Sequence, residues 1–395
     1  MNSNKPRKIL FAHSGPLRVD PQGNYYGVGI SDELRKRYLL LGDQVSFVIR
    51  VKKISTQEAR GFSKISHDRF SVIEAPDYLT LRRVFLKKQA KKIIEQSVTK
   101  ADIVVARIPS GFGNLAAKYA IKHKKPLMAE VVACPFDALW NHSFKGKLLA
   151  HRGYFRLKKL VKKIDYLVYV TSEFLQRRYP SPGKQTNISN VEIKAIDENS
   201  LAKRLQKIGK NHGAKILILG TIGAVNVKYK GHHYVFKAIK KLKKAGKIFH
   251  YRIAGEGDNS RLKKLAEKYG IEDQVEFSGP IPHKKVFEWL DEIDLYVHPS
   301  NQEGLPRALI EAMSRACPAI GSTTGGIPEL LLPEAIFERK KSNELIHKLR
   351  NVDTDFLYKM ALHNFQEAKN YQRDVLNERR EDFYKLFLLE NNLLK

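Results

Sequence analysis

Short apolar runs separated by amphipathic stretches repeat along most of the chain. The first run, Ile9–Ala12, is followed by a loop over Ser14–Gly29 and by an amphipathic stretch, Ile30–Leu41, ending at Gly42. Val45–Val51, Ile103–Ala106, Leu127–Val132 and Tyr166–Val170 read as further strands with helical patterns between them. Short apolar strands alternating with helices predict a parallel sheet covered on both faces. The pattern weakens after Tyr179, where Pro180–Gly183 and the polar segment to Asn190 read as a loop, and Glu192–Lys210 is polar and mostly charged. A second series begins at Lys215–Leu219 and continues with Phe249–Ala254, Val275–Phe277, Leu295–His298 and Pro318–Gly321. The chain therefore reads as two doubly wound α/β domains, 1–190 and 213–375, with a linker over 191–212 and a final helical pattern over 376–395. A length of 395 residues fits two cores better than one. Ligands bind at the carboxyl ends of the strands in such sheets, so two facing domains predict a small-molecule cleft between them.

Charge narrows the partners. Lys and Arg number 71 against 41 Asp and Glu, a net charge of +30. That excess calls for a polyanion, an anionic membrane surface or an anionic substrate. The chain shows neither an aromatic and basic RNP-like strand nor a helix-turn-helix signature, which argues against nucleic acid. Cys134 and Cys317 suggest neither a disulfide framework nor a metal site, and fit a reducing cytosol. The first apolar run is too short for a signal sequence, and no run approaches the roughly 18 residues of a membrane span. The expected location is the cytoplasm, either free or on the inner face of the cell membrane.

The strongest chemical signal is the segment Glu303-Gly-Leu-Pro-Arg-Ala-Leu-Ile-Glu311. Pro306 suits the first turn of a helix. Glu303 then lies in the preceding loop and Glu311 inside the helix, roughly 12 Å away at most by helix rise. Two carboxylates so placed can grip two parts of one elongated ligand, while the N–H groups of Gly304 and Leu305 offer donors to its oxygens. A helix-dipole glutamate followed by an ordinary surface glutamate would give the same letters. Four glycine-bearing turns follow other predicted strands. They are Tyr229-Lys-Gly231, Ala254-Gly-Glu-Gly-Asp258, Phe277-Ser-Gly-Pro-Ile-Pro282 and Gly325-Gly-Ile-Pro-Glu329.

This ordered set resembles the retaining GT-B glycosyltransferases of family 4, the glycosyl transferases group 1. The resemblance is specific over 215–330 and extends loosely to Gly23–Gly29 and Asn190-Val191. It implies two Rossmann-like domains, with the C-terminal helix crossing back to the first. It also implies a nucleoside-diphosphate sugar as substrate, with no cofactor beyond it, and transfer of a hexosyl unit to a glycan in bacterial cell-surface polysaccharide synthesis. Lys230 would then meet the diphosphate, beside Gly231 and Gly255. Glu303 would hold the sugar hydroxyls, Gly304 and Leu305 would offer backbone N–H groups to the sugar or the phosphate, and Glu311 would hold the ribose. Gly279 and Ile281 would meet the base, and the loop at Gly27 would close over the phosphates. Two positions depart from the pattern. Ala224 stands where many relatives have an arginine on the diphosphate, leaving Lys228 as a substitute. Val132 stands where many have a histidine, leaving Glu130, and next Asp137, as polar candidates. Glu130 ends an apolar strand, where burial could raise its pKa for acid–base work; capping the strand or pairing with a lysine are the alternatives. No Asp-x-Asp occurs in the candidate loops, so no metal is expected. A nucleotide-sugar epimerase or a phosphorylase would use a similar scaffold.

Between Arg156 and Lys163 the chain sets Leu157, Leu160, Val161 and Ile164 against Lys158, Lys159, Lys162 and Lys163. Such a helix either lies on an anionic membrane or packs on the sheet with a solvated basic face. Lys87–Lys92 and Lys237–Lys247 repeat the basic theme. Trp140, His142 and the Tyr154-Phe155 pair flank this helix and either line an acceptor site or belong to the core.

Overall fold

The computed structural model describes residues 5–27, 30–59, 62–78, 85–191, 193–211 and 216–394. Gly29, Glu192, Gly213 and Lys215, which enter the readings above, lie outside them.

The first sheet contains β1 (Lys8–Val19), β2 (Tyr25–Gly27), β3 (Gln44–Lys53), β4 (Phe70–Glu74), β5 (Ile103–Ile108), β6 (Leu127–Val131), β7 (Tyr166–Tyr169) and β8 (Lys184–Asn187). Its order is β4-β3-β1-β5-β6-β7-β8, with β2 antiparallel to β1 and the other pairs parallel. The second sheet contains β9 (Ile216–Ile222), β10 (Ile248–Ala254), β11 (Val275–Gly279), β12 (Leu295–His298), β13 (Ala319–Ser322) and β14 (Ile336–Phe337), in the parallel order β11-β10-β9-β12-β13-β14. Strands β5, β6, β7, β12 and β13 are buried at every residue, as expected of parallel strands with helices on both faces. The order reverses at β1 in one sheet and at β9 in the other, and these switch points open toward each other.

Four strands escaped the apolar pattern: the short β2 and β14, and β4 and β8. β8 lies in the segment read as a loop, and its sequence, Lys-Gln-Thr-Asn, is polar because it forms an edge. β4 is an edge too, and none of its residues is buried. The polar stretch read as a linker carries a helix, Asn199–Lys210. Its Arg204 is buried and donates to the carbonyls of Leu290, at 2.9 Å, and of Ile293, so this helix packs on the second domain.

The last helix, Arg373–Glu390, returns to the first domain. Phe387 meets the Tyr166 ring edge-on at 4.9 Å, and Glu390 accepts from Tyr166 Oη and from Lys184 Nζ. One apolar cluster thus runs from Phe11 and Tyr38 through Tyr384 and Phe387 to Met360 and Leu309. The domains also meet at the mouth of the cleft. Glu329 accepts from the N–H groups of Ser172 and Phe174, both at 2.6 Å. Asn141 donates to the Asn301 carbonyl at 2.9 Å.

Leu157, Leu160, Val161 and Ile164 are buried against the first sheet, while Lys159, Lys162 and Lys163 face solvent. That stretch packs on the sheet through its apolar face, so a membrane cannot take that face.

Candidate functional site

A cavity of about 570 Å³ lies between the domains. Its walls come from the end of β2 (Gly27), the helix Asp32–Leu39 (Leu34, Arg37), the end of β5 (Arg107), the end of β9 (Ile222), the turn at Lys230, the end of β12 (His298) and the segment from Glu303 to Glu311. Both switch points therefore contribute to one site.

Lys230 sits in a 3-10 turn, Lys228–Lys230, that ends at Gly231. Gly231 has φ +77°, and a Cβ there would lie 1.9 Å from the Pro299 carbonyl oxygen, so only glycine lets the turn pass under β12. The turn aims Lys230 Nζ at Glu303 Oε1, 2.7 Å away. His298 donates from Nε2 to the same oxygen at 3.2 Å. Burial alone would raise the Glu303 pKa, but Lys230 and His298 outweigh it and hold the carboxyl well below the usual range. Glu303 is thus a fixed anion with one oxygen engaged by the protein. Glu311, in the helix Arg307–Ser314, lines the same cavity with His283 Nε2 3.4 Å from its Oε1. Pro306 stands one residue before this helix, as its N-cap.

Gly304 fixes how close the domains come. A Cβ there would lie 2.4 Å from the Val132 carbonyl oxygen, and the Gly304 carbonyl accepts from Gly326 N–H at 2.7 Å. Val132, the position aligned to the relatives' histidine, is thus a backbone contact between the domains.

Five of the expected donor residues share the cavity wall: Gly27, Lys230, Glu303, Leu305 and Glu311. The others do not line it. Gly231 and Gly304 allow close approach, and Gly255 backs onto the Gly223 carbonyl. Gly279 accepts from Gly255 N–H at 2.8 Å, and Ile281 packs on the core. Lys228 is exposed and does not line the cavity, so it does not stand in for the missing arginine. The carbonyl of Ala224 instead faces buried His232 at 3.3 Å.

Glu130 corrects its reading as an acid–base group. It is buried, accepts from Arg107 Nε at 2.7 Å and from Tyr38 Oη at 2.7 Å, and holds its proton less tightly than usual. Burial pushes its pKa up, but the Arg107 charge and these hydrogen bonds push harder the other way. Asp137 is tied as well. Arg178 reaches one of its oxygens at 2.6 Å and Arg339 of the second domain reaches the other at 3.4 Å. Trp140 stacks on Phe136 at 5.3 Å, and His142 is exposed. Neither lines the cavity, and neither do Lys158, Lys159, Lys162 and Lys163.

The structure adds Arg37, Arg107, His283, His298 and Arg307 to the wall. His298 stands just before the Glu303 segment and Arg307 within it, so both were within reach of sequence reasoning. Arg37 and Arg107 come from distant segments with no motif around them. Four basic side chains, Arg37, Arg107, Lys230 and Arg307, thus face two acidic ones, Glu303 and Glu311, a balance suited to an anionic ligand with hydroxyl-bearing ends. Among the described residues no three His, Cys, Asp or Glu side chains gather as metal ligands would.

Comparison with known proteins bears on this arrangement. Residues 202–363 match the family described as Glycosyl transferases group 1. Protein CapJ of Staphylococcus aureus is 32% identical over 385 residues, covering 95% of this chain and 94% of CapJ. The chain belongs to the glycosyl transferases group 1. A shorter match, 40% identity over 109 residues, links 26% of this glycosyltransferase to 27% of the putative colanic acid biosynthesis glycosyltransferase WcaL of Escherichia coli. The fold is GT-B. The crystal structure of Anabaena Alr3699/HepE in complex with UDP superposes with a TM-score of 0.64 at 14% identity, over 96% of this chain and all of that one.

Proposed function

We propose that this glycosyltransferase is a retaining enzyme of family 4. It moves a hexosyl unit from a nucleoside-diphosphate sugar, UDP-linked rather than GDP-linked, to a lipid-linked glycan in bacterial cell-surface polysaccharide synthesis. The observation that carries the reading is the pairing of Lys230 with Glu303 on the wall shared with Glu311. Lys230 supplies a point charge where the leaving diphosphate gathers negative charge. Glu303, held ionised, accepts from hydroxyls of the donor sugar, and Glu311 from the ribose. The bond from the anomeric carbon to the phosphate oxygen breaks, and a bond to the acceptor oxygen forms on the same face. The departing phosphate takes the acceptor proton. The UDP named in the HepE structure and the colanic acid synthesis named for WcaL support the donor base and the pathway class.

Thermal shift with UDP, GDP and their sugars, followed by a transfer assay with a sugar-alcohol acceptor, tests the reading. Glu311→Ala is expected to lose the nucleotide-induced shift. Glu303→Ala is expected to keep the shift and lose transfer by about a hundredfold or more. If Glu311→Ala is still fully stabilised by UDP and GDP, the donor site is misplaced. Turnover of the donor without any acceptor alcohol would favour an epimerase.

A further inference from the structure

From Ser143 to Val161 the first domain carries a long helix whose outer face is unusual. The helix, Phe144–Val161, starts on Ser143, whose Oγ accepts from Gly146 N–H at 3.1 Å. Ala150, Leu157, Leu160 and Val161 point inward and are buried. On the opposite side Phe144, Leu148 and Phe155 are 78%, 73% and 62% exposed. At 100° per residue Phe144, Leu148 and Phe155 fall within one narrow stripe, bordered by Lys159, Arg152 and Lys145 on one side and by Lys158 and Lys147 on the other. Between Asp137 and Asp165 the sequence has eight Lys and Arg and no acidic residue. Elsewhere on the same face of the sheet, exposed Phe85 precedes the helix Lys87–Lys100, which begins with Lys87, Lys88, Lys91 and Lys92.

We infer that this face seats the protein on an anionic lipid bilayer, with Phe144, Leu148 and Phe155 entering the acyl boundary. Exposed aromatic and leucine side chains ringed by cations match the depth profile of a leaflet, with apolar tips below and ammonium and guanidinium groups among the phosphates. The long Lys and Arg stems reach back to the headgroups while covering apolar surface. A protein partner would need matching anionic groups and a matching apolar surface; a bilayer supplies phosphates and acyl chains along the whole stripe. Placement supports the same occupant. The helix Pro135–His142 directly precedes this one, and its Asn141 bonds the Asn301 carbonyl, two residues from Glu303. The leading end of the stripe thus stands beside the cleft, and a seated enzyme presents its site to acceptors held at the surface. The seat is a property of this face alone and does not depend on the donor chemistry proposed above.

Flotation with vesicles tests it, using phosphatidylcholine alone and phosphatidylcholine mixed with phosphatidylglycerol, at low and high salt. The full chain is expected to float with the mixed vesicles at low salt. The triple variant Phe144→Ser, Leu148→Ser, Phe155→Ser is expected to bind at least about tenfold more weakly with an unchanged melting temperature, since these side chains bury little in the fold. Lys145→Gln with Arg152→Gln and Lys159→Gln is expected to lose the preference for anionic vesicles. Leu362→Ser, at an exposed position in the second domain, is expected to leave binding intact. The inference fails if the unaltered chain floats no better with anionic vesicles, or if the triple serine variant binds as well as the parent. It also fails if the parent self-associates without lipid and that variant does not, for then a second copy covers the face.

Discussion

Glu303, partly buried, and Glu130, buried, are both carboxylates beside a cation, and their surroundings give them different work. Glu303 faces the cavity and is reached by Lys230 and His298; Glu130 lies deeper, between Arg107 and Tyr38. Removing Glu130 leaves Arg107 as an uncompensated buried charge. Glu130→Ala is therefore expected to cost about 3–5 kcal/mol in urea denaturation. Glu130→Gln is expected to retain transfer per folded molecule, which an essential acid–base group would not allow. His232 sets a pH limit. Burial lowers its pKa to about 3 between Tyr251 and the Ala224 carbonyl, and burial with the nearby Arg107 charge lowers that of His13 to about 4. Below the ordinary histidine value of about 6.5 the unfolded chain takes up protons that these folded rings refuse. Their stabilisation is complete above that value and is lost as pH falls. Denaturation midpoints between pH 7 and 4.5 are expected to show up to about 1.4 kcal/mol lost per pH unit for each ring. His232→Gln should flatten that slope. Glu303 adds to the loss only at the acid edge of this window, because its contribution begins to fall where the unfolded carboxyl takes up protons, near 4.5, and is lost at lower pH.

The elements that matter most are turns and helix starts where one domain meets the other. Gly304 touches the Val132 carbonyl, and Glu329 caps the N–H groups at the start of Phe174–Arg178. The added methyl of Gly304→Ala would push the domains apart, since a Cβ 2.4 Å from an oxygen cannot be accommodated in place. A raised KM for the donor and a lower melting temperature are the expected outcomes. Glu329→Ala removes two charge-assisted hydrogen bonds across the same boundary and is expected to cost about 1–3 kcal/mol. The buried parallel strands were legible in the sequence because burial on both faces demands unbroken apolar runs. β4 and β8 were not, because an edge strand can be as polar as a loop. The helix Asn199–Lys210 was hidden by its charge, which includes a buried arginine satisfied only by carbonyls of the second domain.

At the scale of the whole molecule, one sign of charge serves two surfaces. Cations inside the cleft suit a nucleoside diphosphate, and cations around the Phe144 stripe suit a phospholipid leaflet. Raising the salt concentration is expected to weaken vesicle binding more steeply than donor binding, because exposed charges are screened and those lining a cleft are shielded from ions. Comparing flotation with nucleotide-induced thermal shift across a salt series checks this. The sequence by itself determined the two α/β domains, the cleft and its leading residues, because strand periodicity and glycine turns are local in origin. Only the tertiary structure decided what Glu130 and Asp137 do, which arginines reach the cavity and which face of the basic helix is free. Those outcomes depend on contacts between segments far apart in the chain, and a helical pattern shows that a side is apolar without showing what lies against it.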